Sequence, residues 1–186
     1  MNADTTQMIV ALKSAEGAVR AFDMIIERYS ERLYWHCRRI VVQHEEAEDV
    51  LQDTFVTAFS SASKFRGENE GSLLAWLYKI ATTLAIKNLR RRKRHIFTSI
   101  DSLSAMLIAD FEGEIAPEAD EITVKLQKAI LALPIKQRLV FNMRYYDELP
   151  FEAISQITGD SVSTLKTNYH YAAKRVKQIV SQLEYE

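Results

Sequence analysis

From Trp76 to Arg94 the chain runs without a Gly or Pro, and Trp76, Leu77, Ile80, Ala81, Leu84, Ala85 and Leu89 recur at helical spacing. A stretch of this kind folds as one continuous helix with an apolar face. It closes on Arg90, Arg91, Arg92, Lys93 and Arg94. Between Lys79 and His95 stand seven Lys or Arg and no Asp or Glu, in a chain whose formal net charge is −1. Like charges at i, i+1 and i+4 repel by roughly a few tenths of a kcal/mol per pair. A polyanionic partner offsets that repulsion, because each phosphate neutralised releases condensed counterions. The plainer alternative is a solvated helix end whose cations favour the C-terminal dipole.

The rest of the chain is also helical in pattern. Glycines and prolines are scarce, five and three in 186 residues, and period-2 apolar runs are hard to find. The fold class is therefore all-α, in one or two domains of roughly 100 residues each. A single cysteine, Cys37, excludes a disulfide framework and a CxxC metal knuckle. No P-loop, nucleophile elbow, metal-ligand spacing or recognisable pair of catalytic carboxylates is present, so neither an enzyme nor a metal or other cofactor is expected. Met1 to Gln7 is polar and no apolar run approaches ~18 residues, which points to the cytoplasm without membrane insertion.

Charge is strongly segregated. Residues 1–78 carry eight basic and twelve acidic side chains, 79–95 carry +7, 96–121 carry −7, and 122–186 carry nine basic and six acidic. Two basic regions thus flank an acidic spacer, an asymmetry that speaks to partners rather than to fold.

Ala18, Phe22, Ile25, Tyr29, Leu33, Cys37 and Ile40 mark an amphipathic helix over residues 17–41, with Cys37 read as a core residue. A second helix begins near Glu45, with Ala47, Val50, Leu51, Phe55, Ala58 and Phe59 on one face and Asp49, Gln52, Asp53 and Val56 on the other. A polar loop over 60–72 carries Phe65 and Arg66, and Ser72 is the expected N-cap of the Trp76 helix. The spacer 98–120 reads as a linker with short sticky segments; the alternative is a helix packed within one domain. Beyond Pro117, Ile122 to Leu133 is amphipathic, Pro134 opens a helix over 135–146, and Phe151–Thr158, Gly159 and a long helix from Val162 follow the grammar of a helix-turn-helix.

Two segments together resemble a known family. Ala47-Glu48-Asp49-Val50-Leu51-Gln52-Asp53-Thr54-Phe55 looks like the region 2.2 signature of bacterial sigma factors, with Phe65-Arg66-Gly67 and Trp76-Leu77-Tyr78-Lys79-Ile80-Ala81 following at the family spacing. Leu133-Pro134, Gln137-Arg138, Val140-Phe141, the turn Thr158-Gly159-Asp160-Ser161 and Thr164-Leu165-Lys166 resemble region 4. With only these two regions and a short spacer, the chain is similar to an extracytoplasmic-function (ECF) sigma factor of the sigma-70 superfamily.

The resemblance implies two small helical domains: a region 2 bundle over 1–97 and a region 4 helix-turn-helix over 121–186, joined by an acidic linker over 98–120. It implies a transcription initiation factor that binds core RNA polymerase, through the β′ clamp helices and the β flap, and recognises promoter DNA. Asp49, Gln52 and Asp53 would meet the clamp helices. Phe65, Arg66, Glu68 and Asn69 could take an unpaired base of the −10 element. Trp76, Lys79, Thr83 and Lys87 would track the strand, Trp76 being equally readable as core, and Arg90, Arg91, Arg92 and Arg94 would contact phosphates. Family members commonly carry Asn where Thr83 stands. In the −35 element, Ser163, Thr164, Lys166, Thr167, Asn168 and His170 would face the groove, with Lys174, Arg175 and Lys177 on phosphates and Leu165, Tyr169 and Ala172 turned inward. Asp160, where the family has an apolar residue, is expected to cap the recognition helix. An anti-sigma factor is the further partner implied, and no small-molecule substrate. The competing reading is a one-component helix-turn-helix repressor, which leaves the basic Trp76–Arg94 helix unexplained.

Overall fold

The structure, a computed structural model, describes residues 3–12, 14, 17–95, 100–115 and 119–182. Among them are nine α-helices and no strand: α1 Ala3–Leu12, α2 Ala18–Val41, α3 His44–Ser61, α4 Glu70–His95, α5 Ile100–Gly113, α6 Glu121–Leu131, α7 Ile135–Tyr145, α8 Phe151–Thr158 and α9 Val162–Gln182. The all-α reading holds.

The N-terminal module is built on α2, α3 and α4, which pack pairwise, with α1 laid across α2 and α4. The expected stripe of α2 is buried from Phe22 to Ile40. It faces Ala47, Val50, Phe55 and Ala58 of α3 and Leu77, Tyr78, Ala81, Ala85 and Leu89 of α4. Phe22 meets Phe55 edge to face at 6.2 Å, the geometry that aromatic quadrupoles favour.

Helix α4 starts at Glu70, ahead of Trp76, because Asn69 caps it. Ser72 N–H donates to Asn69 Oδ1 at 2.9 Å and Asn69 N–H donates to Ser72 Oγ at 3.2 Å. This reciprocal pair is a capping box. Ser72, expected as the N-cap, lies in the first turn instead.

The stretch expected as a linker is a second correction. It contains α5, whose Leu107 is fully buried while Leu103, Met106, Ile108 and Phe111 pack against the same core. Two acidic side chains of this stretch are partners of cations on the bundle: Asp110 pairs with Arg92 at 2.7 Å and Glu114 pairs with Arg38, while Glu112 pairs with Lys128 of α6 at 2.5 Å. The packed-helix alternative is the one realised.

In the C-terminal module Asp120 caps α6 by accepting from Thr123 N–H at 2.9 Å. Gly159, at φ 81°, supplies the left-handed residue between α8 and α9. Ser161 caps α9, accepting from Thr164 N–H at 3.2 Å, whereas Asp160 turns aside to Lys136 Nζ at 3.5 Å. The capping role expected for Asp160 therefore belongs to its neighbour. A small core of Ala129, Ile130, Leu133, Phe141, Ala172 and Val176 holds α6, α7 and α9 together. The other apolar face of this module, including Val140, Met143, Ile154 and Ile157, is buried in the larger core with the N-terminal helices. Helix α8 packs directly on α4.

Candidate nucleic-acid and polymerase interface

Helix α4 divides its two jobs by face. Leu77, Tyr78, Ala81, Ala85 and Leu89 are buried, while Lys79, Thr83, Lys87, Arg90 and Arg91 are exposed along a line at i, i+4, i+8 and i+11/i+12. That line is the cationic stripe expected from the sequence. Thr83 Oγ donates to Lys79 O at 2.7 Å, so the hydroxyl keeps its acceptor lone pairs for an outside donor. Trp76 stands at the head of the stripe, half-buried, its ring 5.0 Å from that of Phe65.

Beside the stripe, α3 presents Asp49, Gln52 and Asp53, all exposed. They form one wall of a groove of about 300 Å³ whose other wall is Leu84, Lys87, Asn88 and Arg91 of α4. Arg91, itself exposed, stands 3.9 Å from the partly buried Glu46 in a loose pair. Acidic and basic side chains thus face one another across an open groove.

The loop between α3 and α4 is shaped by Gly67. A Cβ at this position would collide with the Phe65 ring and with Ser72 Oγ, so the ring can fold beneath the loop only because residue 67 has no side chain. Arg66 is exposed, and its Nη1 donates to Ser63 O at 2.6 Å and to Phe65 O at 3.2 Å. Asn69 is exposed, with its amide oxygen engaged in the helix cap.

Helix α9 exposes Ser163, Thr164, Lys166, Thr167 and His170 in its first turns, and Lys174, Arg175 and Lys177 further on. Asn168 is half-buried beside them. Leu165 and Ala172 are buried as expected, and Tyr169 is clamped between Phe141, stacked at 5.9 Å, and Phe151, edge-on at 5.9 Å. Helix α9 is held from behind by aromatic packing and leaves its polar face open.

The Sigma-70 region 2 family matches residues 25–95, and the Sigma-70, region 4 family matches residues 123–176. The ECF RNA polymerase sigma factor SigW of Bacillus subtilis is 30% identical over 176 residues, covering 90% of this chain and 93% of the relative. The chain belongs to the ECF sigma factors of the sigma-70 family. The RNA polymerase sigma-H factor of Pseudomonas aeruginosa is 28% identical, with 90% of each chain covered. Among solved structures, CnrH in complex with the cytosolic domain of CnrY superposes with a TM-score of 0.67 at 17% identity, covering 96% of this chain and 98% of that one. RpoE in complex with the anti-sigma factor NepR from Bartonella quintana gives a TM-score of 0.67 at 20% identity, over 86% and 96%.

Two residues expected on the DNA face of this ECF sigma factor are elsewhere. Phe65 is 4% exposed and packs on Trp76, because an aromatic ring beside Gly67 gains more by burial than by waiting in water for a base. Arg92 is 14% exposed on its side chain and is held by Asp110 and by Val41 O at 3.3 Å. Its place at i+1 from Arg91 turns it off the stripe and toward α5. The side chains of Lys93 and Arg94 lie outside the described residues.

Sequence reasoning also missed a buried polar cluster in this sigma factor. His36, read as lying on or beside the apolar face of α2, is 1% exposed and bonds Asp147 Oδ2 through Nδ1 at 3.0 Å and Thr82 Oγ1 through Nε2 at 2.8 Å. Burial, with the Asp147 charge adding to it, pushes the Tyr78 phenol up. The same two causes, in the same order, push the Cys37 thiol up to about 12. The one signal available was His36 at core spacing in α2. Its partner is remote in sequence.

Proposed function

We propose that this ECF sigma factor binds core RNA polymerase and directs initiation by reading the −10 element with region 2, residues 1–97, and the −35 element with region 4, residues 121–186. Its function as an RNA polymerase sigma factor follows from its family; the division of labour among residues is our reading. The observation that carries it is the exposed line Lys79, Thr83, Lys87 and Arg90 in the same chain as a helix-turn-helix with an open polar face. A helix-turn-helix repressor has no use for the first of these, and the match of residues 25–95 to region 2 disfavours that reading.

In this scheme Asp49, Gln52 and Asp53 hook the polymerase clamp helices of β′, and region 4 also meets the β flap. Arg66, Asn69, Trp76, Lys79, Thr83 and Lys87 hold the separated −10 strand, with Arg90 and Arg91 on flanking phosphates. Ser163, Thr164, Lys166, Thr167, Asn168 and His170 enter the −35 major groove, while Lys174 and Arg175 position the duplex without specifying sequence. The chain acts in the cytoplasm as a non-enzymatic subunit, a reading consistent with the absence of a membrane-length apolar helix among the described residues. An anti-sigma factor is proposed as its regulator, supported by the two neighbours above, each solved with a partner protein.

Reconstitution tests the proposal. The purified chain is expected to be retained by core polymerase and to give discrete run-off transcripts on genomic fragments. A chain that binds duplex DNA as a dimer and ignores core polymerase would establish the repressor reading instead.

A further inference from the structure

A cavity of about 510 Å³ is enclosed by residues of α2, α5, α6 and α7, and none of its lining residues belongs to α4 or α9. Its volume suits a small molecule. Tyr34, Trp35, Phe111 and Tyr146 give it aromatic walls. Trp35 is 48% exposed, with the Tyr34 ring edge-on to it at 5.2 Å. The Tyr34 hydroxyl lies 2.7 Å from His44 Nδ1, and the Tyr146 hydroxyl accepts from Gln127 Nε2 at 2.9 Å. Two of the walls are thus set in place by hydrogen bonds of their own.

Polar groups converge on the same space. Asn142, 2% exposed, lines the cavity, and its Oδ1 accepts no hydrogen bond. Its Nδ2 lies 3.5 Å from Arg39 O, so turning the amide over would set oxygen against oxygen. A buried amide oxygen without a donor costs stability until one arrives. Arg38 and Arg39 also line the cavity. Each gives one nitrogen to a carboxylate, Arg38 Nη2 to Glu114 and Arg39 Nη1 to Asp147 at 2.9 Å, and keeps further N–H donors. Val42, another lining residue, has φ 73°, a left-handed conformation that β-branched side chains rarely adopt. Backbone strain of this kind clusters where a ligand is held.

We infer that this cavity binds a small aromatic acid whose ring carries an O–H or N–H donor. The ring lies among the aromatic side chains, its donor satisfies Asn142 Oδ1, and its carboxylate meets guanidinium N–H groups of Arg38 and Arg39. A purely apolar guest would leave Asn142 unsatisfied. A simple inorganic anion would leave the aromatic walls in water. A cationic guest would meet two guanidiniums and a single carboxylate, Glu114, along the lining. An aromatic acid with a ring donor answers all three features at once.

Tryptophan emission from the full chain tests this. The protein has two tryptophans, so Trp76→Phe leaves Trp35 as the reporter. Excitation at the red edge of the indole band, beyond the absorption of the ligands, is used with 4-hydroxybenzoate, benzoate and phenol at neutral pH. 4-Hydroxybenzoate is expected to change Trp35 emission saturably, with a Kd of about 1 mM or tighter for a ligand of this size. It should also raise the melting midpoint of the wild-type chain, since a ligand bound only by the folded state stabilises it. Benzoate, which lacks the donor, should bind about fivefold more weakly, and phenol, which lacks the carboxylate, about tenfold. Asn142→Leu should erase the preference over benzoate, and Arg38→Gln should narrow the preference over phenol. Arg38 is only partly buried, so its variant keeps the test open if Asn142→Leu does not fold. No saturable change, equal affinity for the three compounds, or preferences unchanged in folded variants would each overturn the site. A Trp35 response to core polymerase and to none of the compounds would assign the cavity to a protein segment, and would overturn it too.

Discussion

The guanidinium of Arg92 reaches back from the basic end of α4 to the carboxylate of Asp110 in α5 at 2.7 Å, each side chain only 14% exposed. Its neighbour Arg91 is 63% exposed on its side chain and is only loosely paired. Two adjacent arginines in one basic run therefore do different work, one fastening the spacer helix to the bundle and the other facing solvent.

Arg92→Ala is expected to destabilise the chain by about 1–2 kcal/mol and to leave the salt dependence of promoter binding unchanged, because the partly buried Asp110 loses its partner. Arg90→Ala with Arg91→Ala should do the reverse, flattening the slope of log K against log salt by up to ~0.9 per lost phosphate contact. Urea unfolding and binding titrations at several salt concentrations separate the two patterns. A slope change in Arg92→Ala would return that residue to the DNA face.

Arg138 is the most deeply buried charge of region 4, 2% exposed, with Nε and Nη2 lacking a hydrogen-bond partner. Burial lowers its pKa to about 10. A desolvated cation without compensation costs stability. Arg138→Met, which keeps the length of the stem and drops the charge, should be neutral or stabilising by about 1–2 kcal/mol. A higher urea midpoint is the expected readout; a loss of more than that amount would mean the guanidinium has a stabilising partner in solution.

Helices α2 and α4 were legible because their faces are cleanly divided: the residues at i, i+3 and i+4 from Phe22 to Ile40 and from Leu77 to Leu89 are the ones buried. Gly159 fixed the helix-turn-helix for a similar reason, since only a left-handed residue ends α8 there. Phe65 and Arg92 were misplaced because both face inward through tertiary neighbours that local pattern does not carry, the cleft under Gly67 in one case and α5 in the other. Helix α5 itself was hidden by charge. Asp110 and Glu114 belong to an acidic run that reads as a linker with short sticky segments until the cations opposite them, Arg92 and Arg38, are known. The seam around Asp147 was invisible for the same reason, because its partners His36 and Arg39 lie in another helix of another module.

Stability at alkaline pH should fall. Cys37 is fully buried and its pKa is raised to about 12, from an ordinary thiol value of 9.0. Between those values the unfolded chain releases the thiol proton and the folded chain keeps it, so unfolding is favoured progressively as pH rises. Tyr29, raised to about 12 by burial and then by its hydrogen bond to Glu70, acts in the same direction above its ordinary value of 10.0. Cys37→Ala should cost about 1 kcal/mol at neutral pH through the lost packing, and should show a shallower decline between about pH 9 and 12. The difference between the two curves isolates the thiol. Parallel curves would mean that Cys37 ionises as readily folded as unfolded.

Asn168 and Lys174 lie on α9 within two turns of each other and differ in exposure, so the two substitutions are expected to act differently. Asn168 is half-buried, which restricts its amide more than that of an exposed side chain, whereas Lys174 is exposed further along the helix. A restrained amide can pair bidentately with adenine; a mobile ammonium neutralises phosphate as a point charge. Asn168→Ala is therefore expected to lose about 1–3 kcal/mol on the preferred −35 sequence and little on a sequence altered at the one base it reads. Lys174→Ala should weaken both sequences alike and reduce the salt slope by about 0.9. Affinities of both variants for the two duplexes, measured with core polymerase bound, decide the assignment. A uniform loss in Asn168→Ala would move that residue from base readout to positioning.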